Sequence, residues 1–208
     1  MKASTSRGFT LVELLAVIAI LGLLVTLTFP AITKVQANSR IRACQSNLRQ
    51  IAISMSTYVD TRCGGKWPKD KGVKFLLRMV RDKEIEGNSL KTFTCPATDD
   101  VTYVDESDPT PGTGLKDFDN IDVNCISYAG RDNVNFPMHP DKSDIEVLAA
   151  DDNDGRFNHR HLTNFVYMNG TTDSADIKNF RAELGEEAEW VPVGPDSPHP
   201  ELRKLLID

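Results

Sequence analysis

The N-terminal apolar segment constrains this chain more than any other feature. Residues 9–29 form a run in which Glu13 is the only charged side chain. As a helix, these 21 residues would be about 31 Å long, which is enough to cross the hydrocarbon core of a membrane. Lys2 and Arg7 precede the run, so the positive-inside rule predicts a cytoplasmic N-terminus and an exported C-terminal part.

Glu13 needs a compensating partner, because a carboxylate inside lipid is costly unless an opposite charge or hydrogen bonds offset it. A cut after Gly8 would create an α-amino group on Phe9, one helical turn from Glu13 in its own or a neighbouring subunit. An ordinary signal peptide fits poorly, because its small-residue cleavage site follows the apolar run, whereas Gly8 precedes it. The alternative interpretation is a plain signal anchor whose glutamate faces water at the membrane edge.

The stretch GFTLVE, from Gly8 to Glu13, resembles the processing site of type IV pilins and type II secretion pseudopilins. The resemblance implies that a prepilin peptidase cuts after Gly8 and methylates Phe9. It implies that Glu13 pairs with the terminal amine of an adjacent subunit. It also implies an inner-membrane location in contact with membrane lipid, and three further partners: sister pilin subunits, an inner-membrane assembly platform and its motor ATPase.

The cleavage site that the resemblance implies and the hydrophobic pattern together divide the chain into four predicted parts. Residues 1–8 form a leader, 9–30 a transmembrane helix, 31–60 its amphipathic continuation, kinked near Pro30, and 61–208 a globular head. The continuation carries a stripe of apolar residues three and four apart, Ile41, Cys44, Leu48, Ile51, Met55 and Tyr58.

The head is predicted to place this helix on a small antiparallel sheet, which gives an α+β, pilin-like fold. A second helix is expected over residues 72–85, and a long irregular segment over 99–124. Short apolar or alternating runs predict four strands, at residues 124–129, 145–150, 164–168 and 176–180. The turn signal Asn169-Gly170 is expected to join the third strand to the fourth.

Net charge and cysteine spacing exclude several classes of protein. The formal net charge of −6 offers no basic field for nucleic acid, so no nucleic-acid partner is expected. The four cysteines contain no CxxC pair, which argues against a zinc ribbon. We expect any disulfide to form among Cys63, Cys95 and Cys125, which have loop-like settings, and expect Cys44 to lie in the core.

An acidic run after the second predicted strand suggests calcium. Asp151, Asp152 and Asp154 are hard oxygen donors of the kind that calcium prefers, and type II secretion pseudopilins as a group bind calcium in a C-terminal loop. The EF-hand pattern fails, however, because Ala150 stands at its first ligand position and His161 at its twelfth. A solvated acidic turn is the alternative.

A second resemblance concerns the head. Residues 43–58, together with Cys95-Pro96, look like the corresponding motifs of planctomycete-type prepilin-like proteins. Those proteins end in a histidine, nine residues and Asp-Gly, and here His159 is followed by nine residues and then Asn169-Gly170. The replacement of the acid by asparagine favours a structural role, with His159 hydrogen-bonded to the turn, over catalysis.

These features predict a non-enzymatic prepilin that assembles into a type II secretion pseudopilus or a type IV pilus-like filament. The alternative is a minor pilin or membrane-tethered binding module whose 99–124 segment captures a ligand. A third hypothesis, an anchored metallohydrolase using His159 and His161, lacks an evident third ligand or nucleophile.

Overall fold

The computed structural model describes residues 9–103, 110, 112–115, 117–118, 121, 123–142, 144–152 and 158–207. These residues separate into two compact units, Met1–Ser39 and Arg40–Asp208. Helix α1, Leu11–Arg62, contributes residues to both units.

The second unit is built on a five-stranded sheet. The strands of its described part are β1 (Tyr128–Arg131), β2 (Val147–Asp151), β3 (Leu162–Tyr167), β4 (Thr172–Asp176) and β5 (Leu205–Leu206). Every neighbouring pair is antiparallel, in the spatial order β4-β3-β2-β1-β5. The last strand in the chain therefore pairs with the first.

Helices cover one face of the sheet. The C-terminal part of α1 buries the apolar stripe predicted from the sequence except Ile41, which is half-buried, and α2 (Gly72–Arg81) packs beside it. Burying these side chains supplies most of the driving force for the fold, because each apolar side chain removed from water contributes about 1.5–3 kcal/mol. Residues with no measurable exposure on this side include Cys44, Leu48, Ile51, Met55, Phe75, Leu76, Leu77 and Met79.

The C-terminal segment covers the other face. A second apolar cluster joins inward residues of the strands to the tail, and it contains Ala129, Val147, Ala150, Phe165, Ala175, Ile177, Val191, Leu202 and Leu205. Helix α3, Arg181–Leu184, and a 3-10 turn at Leu202–Lys204 lie in this tail. The expected α+β fold, with a long helix and a small antiparallel sheet, is confirmed, and strands β1 and β2 are buried on both faces.

Several element boundaries differ from expectation. Residues 124–126 precede β1 instead of opening it, because the Ser127 amide donates to the Phe93 carbonyl at 2.9 Å and the ladder starts only at Tyr128. The predicted strand over 176–180 is wrong: Ile177–Phe180 is a 3-10 turn, and the polar segment Thr172–Asp176 pairs with β3.

Helix α2 also ends earlier than predicted. Its last residue is Arg81, and the chain turns at Lys83, whose φ is +59°. The amide of Glu84 then donates to the Met79 carbonyl at 2.8 Å, which satisfies a carbonyl at the helix end.

Helix α2 and strand β1 approach each other at two glycines. A Cβ built on Gly130 would lie 2.1 Å from the carbonyl oxygen of Gly72 and 2.9 Å from Leu76 Cγ. Gly72 itself has φ +61°, a conformation that side chains disfavour. The close contact between helix and strand therefore depends on glycine at both positions.

Candidate functional site

Glu13 lies in the first turn of α1 and is bound by Thr10. Its Oε2 accepts hydrogen bonds from the Thr10 amide and the Thr10 hydroxyl, both at 2.9 Å. In return, the Thr10 hydroxyl oxygen accepts from the Glu13 amide at 3.3 Å. This reciprocal arrangement is a capping box, which satisfies backbone donors that the first helical turn leaves free.

The sequence contains the signal for this cap as Thr-x-x-Glu, from Thr10 to Glu13. The carboxylate is thus held beside the first residues of the helix before any partner approaches. Phe9, the predicted new N-terminus, is next to Thr10 and is 75% exposed. Gly8 lies outside the described residues.

The apolar part of α1 is uncovered. Large apolar side chains from residue 9 to residue 35 are 45–75% exposed. Among the described residues, this is the one helix long and apolar enough to cross a membrane, judged by length and composition. Apolar surface of this extent needs lipid or protein around it, since soluble monomers rarely expose so large a patch.

The acidic run lies partly inside the head. Asp151 ends β2 with no measurable exposure, and Asp152 is 8% exposed. The Oδ2 atom of Asp151 accepts from the backbone amide of Asn164 at 2.8 Å and from its side-chain amide at 2.9 Å. Asp154, the third predicted calcium ligand, lies outside the described residues.

Asn164 extends this contact into a network between α1 and the sheet. Its Oδ1 accepts from Gln45 Nε2 at 3.1 Å and from Ser174 Oγ at 2.7 Å. Gln45 also donates to Ser174 at 3.1 Å. Helix α1 and strands β2, β3 and β4 are therefore joined through buried and part-buried polar groups, which helps to fix the position of Asp151.

His159 and the Asn169-Gly170 turn occupy different surroundings. His159 is 5% exposed, and its Nε2 lies 3.4 Å from Cys95 Sγ. Asn169 instead accepts from the Thr171 amide at 2.8 Å, and Gly170, with φ +81°, donates to the Tyr167 carbonyl. His161 is exposed and has φ +72°, so it does not share a strand face with His159.

The disulfide differs from the expected pairing. Cys44 is bonded to Cys95, while Cys63 and Cys125 are free. The prediction of a bridge among the three loop cysteines is wrong, because the Cys95 segment folds onto the buried stripe of α1. Ser127 holds that segment by accepting from the Cys95 amide at 2.9 Å.

Asp151 and His159 lie beside this bridge, and burial shifts the pKa of each. The donor atoms of Cys44, Cys95, Asp151 and His159 all lie within 4.8 Å of one another. Burial raises the pKa of Asp151 to about 7, although hydrogen bonds from Asn164 and Asn158 oppose the shift. Burial lowers the pKa of His159 to about 4, so its imidazole is neutral at physiological pH.

Comparison with known proteins bears on the N-terminal segment. Residues 4–29 match the family model described as the prokaryotic N-terminal methylation motif. No curated protein and no solved structure matches the chain. The matched range contains the Thr10–Glu13 cap and the uncovered apolar helix. The N-terminal segment therefore carries the methylation motif of a prepilin-type precursor, as the resemblance to type IV pilins and pseudopilins implied.

Proposed function

We propose that the mature protein is a non-enzymatic structural subunit of a type II secretion pseudopilus or a type IV pilus-like filament. A prepilin peptidase cuts after Gly8 and methylates Phe9, and the mature helix packs against the same helix of sister subunits. The observation that carries the proposal is an apolar helix segment whose described large apolar side chains are exposed and which begins with a capped carboxylate inside the matched motif.

The cap supports a specific role for Glu13. Thr10 already directs the carboxylate to the start of the helix, one residue from the atom that becomes the new amine. Cleavage converts the peptide nitrogen of Phe9 into a positively charged α-amino group, and this group can pair with Glu13 of the same or an adjacent subunit. Since the surroundings are lipid or neighbouring apolar helices, an unpaired charge would be strongly disfavoured.

The division into two units supports the same assignment. Arg40–Asp208 has its own buried core, while the described apolar residues of Met1–Ser39 are exposed. A filament of such subunits would bury the apolar helices together and leave the heads outside. Contacts between unlike surfaces of successive subunits do not close on themselves, and they give an open helical fibre.

The proposed location and partners follow from this assembly. The precursor is a single-pass inner-membrane protein with a cytoplasmic N-terminus and a periplasmic or extracellular head. An assembly platform and its motor ATPase extract the processed subunit from membrane lipid into the filament.

Processing is tested by the mass of the mature N-terminus after co-expression with a prepilin peptidase. We expect the chain to begin with N-methylated Phe9, and we expect Gly8→Leu to remain full-length. Gly22→Ala is the matched control, because Gly22 lies in the same apolar segment and an added Cβ there meets nothing within 4 Å. A mature protein that retains residues 1–8 would refute the processing step.

Assembly is tested by cysteine crosslinking along residues 9–29 in processed protein, read as a ladder of multimers. Glu13→Leu should abolish the ladder, and Glu13→Gln should weaken it, because the amide keeps the size and one acceptor but loses the charge. Val17→Leu, on the same exposed helix, is the control. If Glu13→Leu gives the unaltered ladder, charge pairing does not direct assembly. Processed protein that gives no ladder at all would favour the tethered binding module.

A further inference from the structure

The head contains a buried cluster of four side chains with the donor atoms of a metal site. Cys44 comes from α1, Cys95 from the segment after the 3-10 helix Gly87–Phe93, Asp151 from the end of β2, and His159 from the segment before β3. All four side chains are buried. The chain thus brings together two sulphur atoms, one carboxylate and one imidazole from four separate segments.

The spacing of these donors fits a small tetrahedral ion. With metal–sulphur bonds of about 2.3 Å and metal–nitrogen or metal–oxygen bonds of about 2.0–2.2 Å, ligand atoms around zinc are about 3.3–3.8 Å apart. The four donors here lie within 4.8 Å of one another, with the two sulphurs bonded at 2.03 Å. Reduction must therefore separate the sulphurs by about 1.5 Å, and the other donors need to move by about 1 Å to reach these separations. Calcium prefers six to eight oxygen ligands and does not suit two sulphurs.

An oxygen of Asp151 left unsatisfied by the described residues independently supports a cation at this place. The Oδ2 atom of Asp151 accepts two hydrogen bonds from Asn164, whereas Oδ1 is buried, and the Asn158 side chain, which lowers the pKa of this carboxyl, does not reach Oδ1 with good hydrogen-bond geometry. Leaving a buried acceptor unsatisfied costs stability, and buried carboxylates are normally paired or bound to a cation. A metal ion beside Oδ1 would supply the missing partner.

The two sulphur atoms are also surrounded as metal-bound thiolates are. The Tyr128 hydroxyl donates to Cys44 Sγ at 3.3 Å, and the Ala97 amide donates to Cys95 Sγ at 3.4 Å. Donors of this kind spread the negative charge of thiolate ligands, and such outer contacts orient and tune a metal site. They would be useful here because two thiolates and one carboxylate around a divalent ion leave one net negative charge.

We propose that Cys44, Cys95, Asp151 and His159 bind one zinc ion when both cysteines are reduced. The Cys44–Cys95 bridge is then the metal-free form of the same site. Zinc binding displaces the thiol protons and involves no electron transfer. Closing the bridge instead needs a disulfide oxidant, which takes two electrons and two protons from the thiols and is itself reduced to two thiols. The two forms exclude each other.

The ion would have a structural role. With four protein ligands the site is closed, whereas a catalytic zinc keeps a position for water or substrate. The zinc ion would hold α1 against the sheet before the disulfide forms, or in a chain in which it never forms. This proposal concerns the head alone and does not depend on filament assembly.

The direct test uses the full chain in detergent, reduced with a phosphine and stripped of metal. Titration with zinc against a chromogenic chelator, checked by elemental analysis, should give one tightly bound zinc per chain. The same chain with its bridge closed should bind more than about 100-fold more weakly, because two of the four ligands are lost. Reduced, folded protein that takes up no zinc would overturn the proposal.

Two matched pairs of variants locate the site. Cys95→Ser and His159→Gln should each weaken zinc binding by more than about tenfold. Cys63→Ser and His161→Gln should leave it unchanged, since both residues lie outside the cluster. Equal binding by the members of either pair would assign the metal to other residues and refute the proposal.

Cobalt(II) provides a readout that does not depend on whether any variant folds. In the reduced, unaltered chain, bound cobalt should show thiolate-to-metal charge transfer together with the intense visible bands of tetrahedral coordination. A weak octahedral spectrum without charge transfer would contradict ligation by the two cysteines.

Discussion

Replacement of Arg131 by methionine should be among the most damaging single changes in the head. Arg131 is a strand residue with 1% exposure. Its Nε donates to the Phe136 carbonyl at 3.0 Å and its Nη1 to the Val147 carbonyl at 3.2 Å. The guanidinium also faces two carboxylates, with Nη2 3.9 Å from Glu146 and Nη1 3.4 Å from Glu201.

The expected magnitude follows from what the substitution leaves behind. Glu146 is 5% exposed, and its remaining partner is His139, whose amide donates to Oε2 at 2.7 Å. Glu201 is less buried and keeps Lys204 as a partner. Breaking a buried ion pair by removing one member costs about 3–5 kcal/mol. In a domain of this size, each kcal/mol lowers the melting temperature by about 2–4 °C, so Arg131→Met should melt on the order of 10 °C lower.

The assay is thermal unfolding of the full chain in detergent, followed by the fluorescence of Trp67 and Trp190. The matched control is Arg62→Met, because Arg62 forms an ion pair with Glu84 at 3.0 Å but its side chain is 63% exposed. Loss of such a surface pair should cost less than about 1 kcal/mol. Adding Glu146→Leu to Arg131→Met should restore part of the loss. Equal shifts for Arg131→Met and Arg62→Met would refute the reasoning.

Three further substitutions test the packing and electrostatics of the head. Gly130→Ala should cost about 1–3 kcal/mol in urea unfolding, because the new Cβ would overlap the Gly72 carbonyl. Leu48→Ala, at a position with no measurable exposure, should cost about 2–5 kcal/mol in the same assay. The hydrogen bond from the Tyr58 hydroxyl holds the pKa of Asp82 below its usual value of 3.8. The ionised Asp82 therefore stabilises the folded protein fully above pH 3.8, and this stabilisation is lost as the pH falls through the lower pKa of the folded state. The stability difference between the unaltered protein and Asp82→Asn, measured by urea unfolding from pH 7 downwards, should therefore shrink in acid.

Each of these changes has a control with a contrasting outcome. Ile53→Ala, on the same helix as Leu48 but 56% exposed, should cost much less than Leu48→Ala. Gly87→Ala meets nothing within 4 Å, so it measures the cost of a positive φ, which Gly130 does not have, in the absence of overlap. If Gly130→Ala unfolds at the same urea concentration as the unaltered protein, helix and strand do not approach as closely as described. A stability difference between the unaltered protein and Asp82→Asn that grows in acid would contradict a lowered pKa for Asp82.

Much of the helical framework was predictable because its signal is local and periodic. The spacing of Cys44, Leu48, Ile51 and Met55 predicted the buried stripe of α1, and the structure buries all four. Strand positions were less predictable, because an apolar sequence indicates that a segment is buried but not that it pairs with another strand. Thus Ile126 is buried before the ladder begins, while β4 pairs despite its polar sequence.

The cluster around Cys95 was beyond sequence reasoning for a different reason. Its four members are separated by long stretches of chain, Cys44 and Cys95 alone by 51 residues, and no periodicity connects them. Asp151 was expected either as a calcium ligand or in a solvated acidic turn, since nothing in the sequence shows that it ends a buried strand opposite Asn164. The Thr10–Glu13 cap, in contrast, was present in the sequence as a short motif with a known mechanism.

The pairing of β5 with β1 sets a condition on when the head can finish folding. Leu205 and Leu206 pair with Arg131 and Gly130, and Leu202 and Leu205 belong to the second apolar cluster. A chain that has not yet been synthesised as far as β5 lacks this strand and part of that cluster. The five-stranded sheet can therefore be completed only after residues 205–206 have left the ribosome, so its final pairing is post-translational.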